Sequence, residues 1–301
     1  MKKIAILGFG TIGSGVAEII KDRDDIEIVK VFDARDLKGT VAEGITTSNI
    51  EDIINSDADI VVETMGGVHP AAEYISAALN AGKSVVTSNK AVIAAEGDKL
   101  EALADEKGLK LLYEAAVGGG IPIIRVMKEC LACDEITKIG GILNGTTNYI
   151  LTQMAAGDTY EEALSRAQKN GYAEADPSAD VEGYDTCRKI AILASIMMGR
   201  KIDYQTIPCE GITKITKEEI DAVKKSNKKI KLIGYAEKNG DELITYVSPV
   251  KIDSDNMLYG VDGVMNGIML ESKYLGASMY YGAGAGKLPT ATAVVADILH
   301  I

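Results

Sequence analysis

The chain contains no tryptophan, two phenylalanines and two histidines. His69 stands beside a proline and His300 beside the last residue, and neither has the polar neighbours a proton relay needs. A histidine-based mechanism is therefore disfavoured, and any proton transfer falls to a lysine or a carboxylate. Cysteine is also scarce: Cys130, Cys133, Cys187 and Cys209 are the only four. Four thiols cannot form the framework of so long a chain, which points to reduced cysteines and the cytoplasm. Cys130 and Cys133 make a CxxC, but no second pair and no histidine cluster completes a zinc site, so they read as two thiols on an ordinary helix. Basic residues are outnumbered 32 to 44, a net charge of −12, which argues against nucleic acid or an anionic membrane as partner. The opening MKKIAILGFG has the lysines of a signal peptide but too short an apolar stretch. No apolar run approaches the roughly 18 residues of a membrane span.

Hydrophobic residues make up 47% of the sequence and charged residues 25%, an ordinary globular balance. A length of 301 residues sets a prior of about two domains. The first half alternates β-rich runs at 3–7, 27–32, 58–64, 84–88 and 109–114 with stretches of helical spacing, such as Ile12, Val16, Ile19 and Ile20. Ser48 with Glu51 reads as a capping box opening one helix, and Gly82 as the close of another. Such alternation implies right-handed crossovers and a doubly wound parallel sheet. Beyond about Gly140 the rhythm changes. Thr159 with Glu162 and Thr216 with Glu219 cap helices, 180–198 reads as one long helix, and KKIKLIGYA and ELITYVSPV flank an Asn239-Gly240 turn, a hairpin signal. The expected class is α/β: a Rossmann-type domain over 1–136, a second α+β domain over 137–284, and a last helix, 289–299 within 285–301, returning to the first.

Gly8, Gly10 and Gly13 form G-x-G-x-x-G between a strand and a helix. There glycine lets the backbone approach a pyrophosphate at a positive helix N-terminus. The loop Gly8, Phe9, Gly10, Thr11, Ile12 and Gly13 is thus the candidate dinucleotide cradle. Asp33, twenty residues beyond Gly13 at the end of the second strand, can accept from a ribose 2′-hydroxyl and favours NAD. Arg35 and Lys38 follow closely and could serve the 2′-phosphate of NADP, so NAD or NADP stays open with NAD preferred. Three further strand ends are rich in hydroxyls, amides and bare backbone: ETMGG (63–67, with Thr64), TSNK (87–90, with Ser88 and Lys90) and EAAVGGG (114–120). Together they describe a lined cleft.

The densest polar segment is GYAEADPSADVEGYDTCRK, which carries Glu174, Asp176, Asp180, Glu182, Asp185 and Lys189. Asp185 and Lys189 share one helical face at i, i+4. Taken alone they are a solvated ion pair; placed before an apolar turn and after a cluster of acids, they are candidates for proton transfer.

GFGTIGSG, TSNK, EAAVGGGIPII, GILNGTTNYIL, GYAEADPSADVEGYDTCRK and GAGAGKLPTA occur in the order found in homoserine dehydrogenases, and the sequence resembles that family over nearly its whole length. The resemblance implies NAD(P)-dependent interconversion of L-homoserine and L-aspartate 4-semialdehyde, on the route to threonine, methionine and isoleucine. It also implies roles. Lys189 is the proton-donating lysine, and Glu174 and Asp185 bind substrate, with Asp180 in the same motif. Asn144 and Thr146 of NGTTNY help hold the small amino-acid substrate. Lys90 lies near nicotinamide and substrate, and Gly286 contacts the cofactor. A monovalent cation, usually sodium, falls on Glu114, Val117, Gly119 and Ile121. Relatives dimerise through the second domain, so a homodimer is expected. The sequence stops at Ile301, which implies a short form without the regulatory C-terminal ACT extension and without threonine feedback through it. Two other readings stay open: a dehydrogenase of another small amino acid, and a non-catalytic NADH sensor, against which the Lys189, Asp185 and Glu174 set speaks.

Overall fold

The structure is a computed structural model that describes all residues, Met1–Ile301. The chain forms two compact units, one of Met1–Gly120 with Ala285–Ile301 and one of Ile121–Gly284. No helix is long and apolar enough to cross a membrane.

The first unit alternates β1 (Lys2–Leu7), α1 (Thr11–Ile20), β2 (Ile26–Phe32), β3 (Thr46–Thr47), α2 (Ile50–Ile54), β4 (Ile60–Glu63), α3 (Ala71–Asn80), β5 (Ser84–Thr87), α4 (Lys90–Lys107) and β6 (Leu111–Leu112). The strands form one parallel sheet in the order β3-β2-β1-β4-β5-β6, as the alternation requires. In such a sheet the order reverses between β1 and β4, and ligands bind at the carboxyl ends beside that point. Two local expectations need correction. The box placed on Ser48 is instead an Asn49 cap, whose side chain accepts from Glu51 N–H at 3.2 Å. The reason is β3: it extends the chain to Thr47, whose hydroxyl takes the Asn49 N–H, shifting the helix start by one residue. β6 keeps only two of the residues in 109–114, because Glu114–Ala116 turns into a 3-10 helix.

The second unit contains β7 (Ile136–Ile142), α5 (Gly145–Ala156), α6 (Tyr160–Lys169), α7 (Ser178–Val181), α8 (Tyr184–Met198), α9 (Lys217–Lys225), β8 (Lys228–Asn239), β9 (Glu242–Asp253), β10 (Met265–Ser272) and β11 (Gly276–Ala283). Its five strands are antiparallel in the order β11-β10-β7-β8-β9. Both expected capping boxes are present, Thr159 with Glu162 and Thr216 with Glu219. The hairpin pairs Asn239 with Glu242. The helix read across 180–198 is broken: Gly183, at φ +87°, separates α7 from α8, and a Cβ there would lie 2.9 Å from Cys209 Sγ.

Residues 121–136, expected in the first domain, group instead with this unit. Asp134 explains the grouping: it accepts from Ser272 Oγ at 2.7 Å and from the backbone N–H of Tyr274 and Leu275, which ties the segment to the β10–β11 turn. Cys130 closes a π-helical turn, Val126–Cys130, and Cys133 lies beyond it, so the CxxC does not sit on an ordinary helix. All four cysteines are unbridged.

The chain ends in α10 (Lys287–His300), which starts two residues earlier than expected because Pro289, lacking an N–H, fits a helix's first turn. Val294 and Ile298 of α10 join Val16 and Ile20 of α1, Ile4 and Ile6 of β1 and Val62 of β4 in one apolar core. Burial of this kind contributes about 25 cal/mol per Å² of apolar surface, so α10 is an integral part of the first unit.

Candidate active site

In the first unit, β1 ends at Leu7 and the chain turns sharply through Gly8, at φ +88°. A Cβ on Gly13 would sit 2.1 Å from Gly8 O, so that glycine serves the turn's own packing. A Cβ on Gly10, the N-cap of α1, would meet no protein atom within 4 Å. Its glycine answers to no neighbour in the chain, and it opens the helix N-terminus where an anion is favoured. Thr64 Oγ1 locks the turn by donating to Gly8 O at 2.6 Å. Asp33 Oδ2 accepts the Phe9 N–H at 2.8 Å, and Arg35 grips both oxygens of the same carboxylate at 2.9 and 2.7 Å. The Arg35 guanidinium, helped by the N–H groups of Arg35 and Phe9 and opposed by burial, holds Asp33 well below the usual carboxylate range. Asp33, Arg35 and Lys38 line a cavity of about 420 Å³.

Ser88 and Lys90 flank Asn89, whose side chain caps α4 by accepting from the N–H of Ala91 and Val92. Lys90 is therefore the first residue of α4 and half-buried. Glu114 is 4% exposed, and its N–H donates to Asp297 Oδ2 of α10 at 2.8 Å. Gly118 and Gly119 follow at φ +77° and +55°. Gly286, at φ +121°, caps α10.

In the second unit, Lys189 and Asp185 are buried on the first turns of α8. Lys189 Nζ donates to Asp185 Oδ2 at 2.7 Å and to Leu143 O at 2.7 Å. The solvated ion pair is thus excluded. Asn144, the N-cap of α5, accepts from Thr147 N–H through its oxygen and donates through Nδ2 to Asp180 Oδ1 at 2.7 Å and Asp185 Oδ2 at 2.9 Å. Burial raises the Asp180 carboxyl, Asp185 raises it further, and the hydrogen bond from Asn144 with the charge of Lys189 opposes the rise. Thr146 Oγ1 donates to Tyr172 O at 2.6 Å. The structure brings Asn144, Asp180, Asp185 and Lys189 into one network. Glu174 stands apart, exposed on the α6–α7 connection, where its carbonyl accepts from Gln168.

Two family models match the chain: "Homoserine dehydrogenase" over residues 122–299 and "Homoserine dehydrogenase, NAD binding domain" over residues 8–114. The chain belongs to the homoserine dehydrogenase family. The homoserine dehydrogenase of Bacillus subtilis is 40% identical over 314 residues, covering 99% of this chain and 72% of that protein. The crystal structure of a homoserine dehydrogenase from Thiobacillus denitrificans matches with a TM-score of 0.94 at 37% identity, over 99% of this chain and 72% of that one. A hyperthermophilic archaeal homoserine dehydrogenase in complex with NADPH matches with a TM-score of 0.84 at 31% identity, over 99% and 97%. The first unit is an NAD(P)-binding domain, and the activity is that of a homoserine dehydrogenase, an NAD(P)-dependent oxidoreductase of aspartate-family amino-acid biosynthesis.

In the homoserine dehydrogenase sequence Glu63, Thr87 and Asn89 lie within the ETMGG and TSNK strand ends of the expected cleft, without individual roles, and Asp297 lies outside every motif. Glu63 and Asp297 are both at or below 2% exposure. Glu63 does carry a sequence signal, a lone acid ending an otherwise apolar strand, IVVE. Asp297 carries no such signal, since its partner Glu114 lies 183 positions away.

Proposed function

We propose that Lys189 donates the proton in the reduction of L-aspartate 4-semialdehyde to L-homoserine, and that Asp185, Asp180 and Asn144 hold the amino-acid substrate beside it. One observation carries the reading: a buried ammonium group gripped by a buried carboxylate and a backbone carbonyl, with further acid and amide groups in the same network. When bound, the reduced nicotinamide supplies the hydride. As the aldehyde oxygen gains charge, the Lys189 ammonium stabilises it and supplies the proton, an interaction stronger in the transition state than in the ground state. The carboxylates suit the substrate ammonium, and Asp185 offsets the charge of the buried Lys189 ammonium. Glu174 and Thr146 belong to the proposed substrate site, Glu174 from its exposed turn. Lys90, held at the head of α4 by the Asn89 cap, is proposed to act near the nicotinamide.

The cofactor contacts are assigned to Gly8, Phe9, Gly10, Thr11, Ile12, Gly13, Asp33, Thr64, Ser88, Lys90 and Gly286, with NAD preferred over NADP because of Asp33. Sodium is assigned to Glu114, Val117, Gly119 and Ile121. The left-handed turn at Gly118 and Gly119 and the buried Glu114 fit a hard cation served mainly by backbone oxygens. A homodimer through the second unit belongs to the same proposal. The unbridged thiols support a cytoplasmic location.

The test is Lys189→Ala. The variant should fold, bind NADH as wild type does, and lose about 10²–10⁴-fold in kcat. Near-normal turnover would retire the assignment.

A further inference from the structure

Glu63 has no exposed surface, yet the proton transfer assigned to Lys189 does not use it. Burying a carboxylate is costly unless donors replace its water. Four donors do so here. Oε2 accepts the Thr87 hydroxyl at 2.5 Å. Oε1 accepts the Met65 N–H at 2.7 Å, with longer contributions from Gly66 N–H and Asn89 Nδ2, both at 3.4 Å.

All four donors lie on segments at the carboxyl edge of the parallel sheet. Met65 and Gly66 follow β4, Thr87 ends β5, and Asn89 caps α4 immediately before Lys90. The Asn89 amide extends the knot by donating to Gly67 O at 2.7 Å, and the Thr87 hydroxyl also accepts the Asn89 N–H at 2.9 Å. A position that served packing alone would be filled more cheaply by an apolar side chain, as its strand neighbours Val61 and Val62 are. The carboxylate instead ties two ligand-edge loops to one helix start.

The site's two ends differ. Asp33, after β2, serves the adenosine half of a dinucleotide, which leaves the β4 and β5 ends for the nicotinamide half. We infer that Glu63 is the positioning residue of the nicotinamide end: it holds 65–67 and 87–89 in a single arrangement and, through Asn89, sets the backbone from which Lys90 projects. The inference rests on the NAD(P)-binding role of the first unit.

The experiment compares Glu63→Ala, Glu63→Gln and Thr87→Val with wild type. It measures affinity for NADH and for ADP-ribose, which lacks nicotinamide, together with kcat, KM and the primary isotope effect with deuterated NADH. In Glu63→Ala, ADP-ribose affinity should stay within about twofold of wild type, while NADH binds about tenfold more weakly. Its kcat should fall by up to about 100-fold, the scale expected when a reacting group moves by about 1 Å, and the isotope effect should rise as hydride transfer becomes limiting. Glu63→Gln should recover most of the loss, since its carbonyl can still take the Met65 N–H and its amide can face the Thr87 hydroxyl. Thr87→Val should show a weaker form of the same pattern, and it keeps the test decisive if Glu63→Ala does not fold. Equal loss of both ligands, or a lower active fraction with unchanged KM and isotope effect, would overturn the proposal. NADH binding by the wild-type protein is the control that separates failure here from failure of the cofactor site itself.

Discussion

Asn144 and Lys189 donate to the same atom, Oδ2 of Asp185, at 2.9 and 2.7 Å. One oxygen thus takes both the charge of the ammonium and the dipole of the amide, while the other amide hydrogen serves Asp180. Replacing Asn144 by aspartate keeps the shape but removes both donors and adds a third carboxylate. We expect Asn144→Asp to lose about 2–4 kcal/mol of stability at pH 8. Like charges raise one another's pKa in the folded state, so this penalty should shrink as the pH falls and the carboxylates protonate. Asn144→Ala, which adds no charge, should lose less at pH 8. Urea unfolding at pH 5 and pH 8 checks both, and a pH-independent deficit in Asn144→Asp would count against the network.

Asp180 gives a second pH test. Its carboxyl is raised in the folded state, first by burial and then by Asp185. The folded protein therefore binds more protons than the unfolded chain between the ordinary carboxyl value and the raised one. Stability conferred by this group is present at low pH and is lost as pH climbs through that window. Asp180→Asn should flatten that part of the stability curve. Chemical denaturation at intervals from pH 4 to pH 7 would show it, and identical slopes in variant and wild type would contradict the assignment.

Cofactor choice should turn on one ion pair. Arg35 holds both oxygens of Asp33, with the Arg35 side chain 61% exposed and that of Asp33 8%. A ribose 2′-hydroxyl asks Asp33 to accept, whereas a 2′-phosphate is repelled by Asp33 and attracted by Arg35. Arg35→Ala should therefore depress kcat/KM with NADP by about tenfold or more while sparing NAD. Asp33→Ala should shift the ratio towards NADP. Homoserine oxidation assayed in parallel with the two cofactors reads the ratio directly, and a ratio unmoved by either change would remove this pair from cofactor selection.

The two capping boxes supply a test of local energetics. Thr159→Ala and Thr216→Ala should each cost about 1 kcal/mol. The two caps head different helices but meet through Lys217, whose Nζ donates to Gly157 O and whose charge acts on Glu162, so the double variant should depart from the sum. Thermal unfolding of the four proteins checks this; kcat should not change.

Much of the first unit was legible because its signals are local. Glycine spacing, short apolar strands and helical periods each occupy a few consecutive residues, and together they specify the parallel sheet. The second unit was harder. β7 reads ITKIGGI, where two glycines erase the strand pattern, yet Gly141 is needed because a Cβ there would press on Leu143 at 2.8 Å. The boundary at Gly120 rather than 136 depends on Asp134 meeting residues about 140 positions away, which no window can see. In the site, the Asp185–Lys189 pair is visible at i, i+4. The convergence of Asn144 on acids 36 and 41 positions downstream is not.

The left-handed residue between α7 and α8 does more than end one helix and begin another. Along an uninterrupted helix, positions 180 and 185 would differ by five steps of about 100°, or about 140° around the axis, and would face nearly opposite directions. Rotating the second segment at Gly183 brings both acids onto one amide. A side chain at that position is barred twice, by the backbone angle and by the sulfur that fills the space. The site's geometry therefore depends on the absence of a single carbon atom.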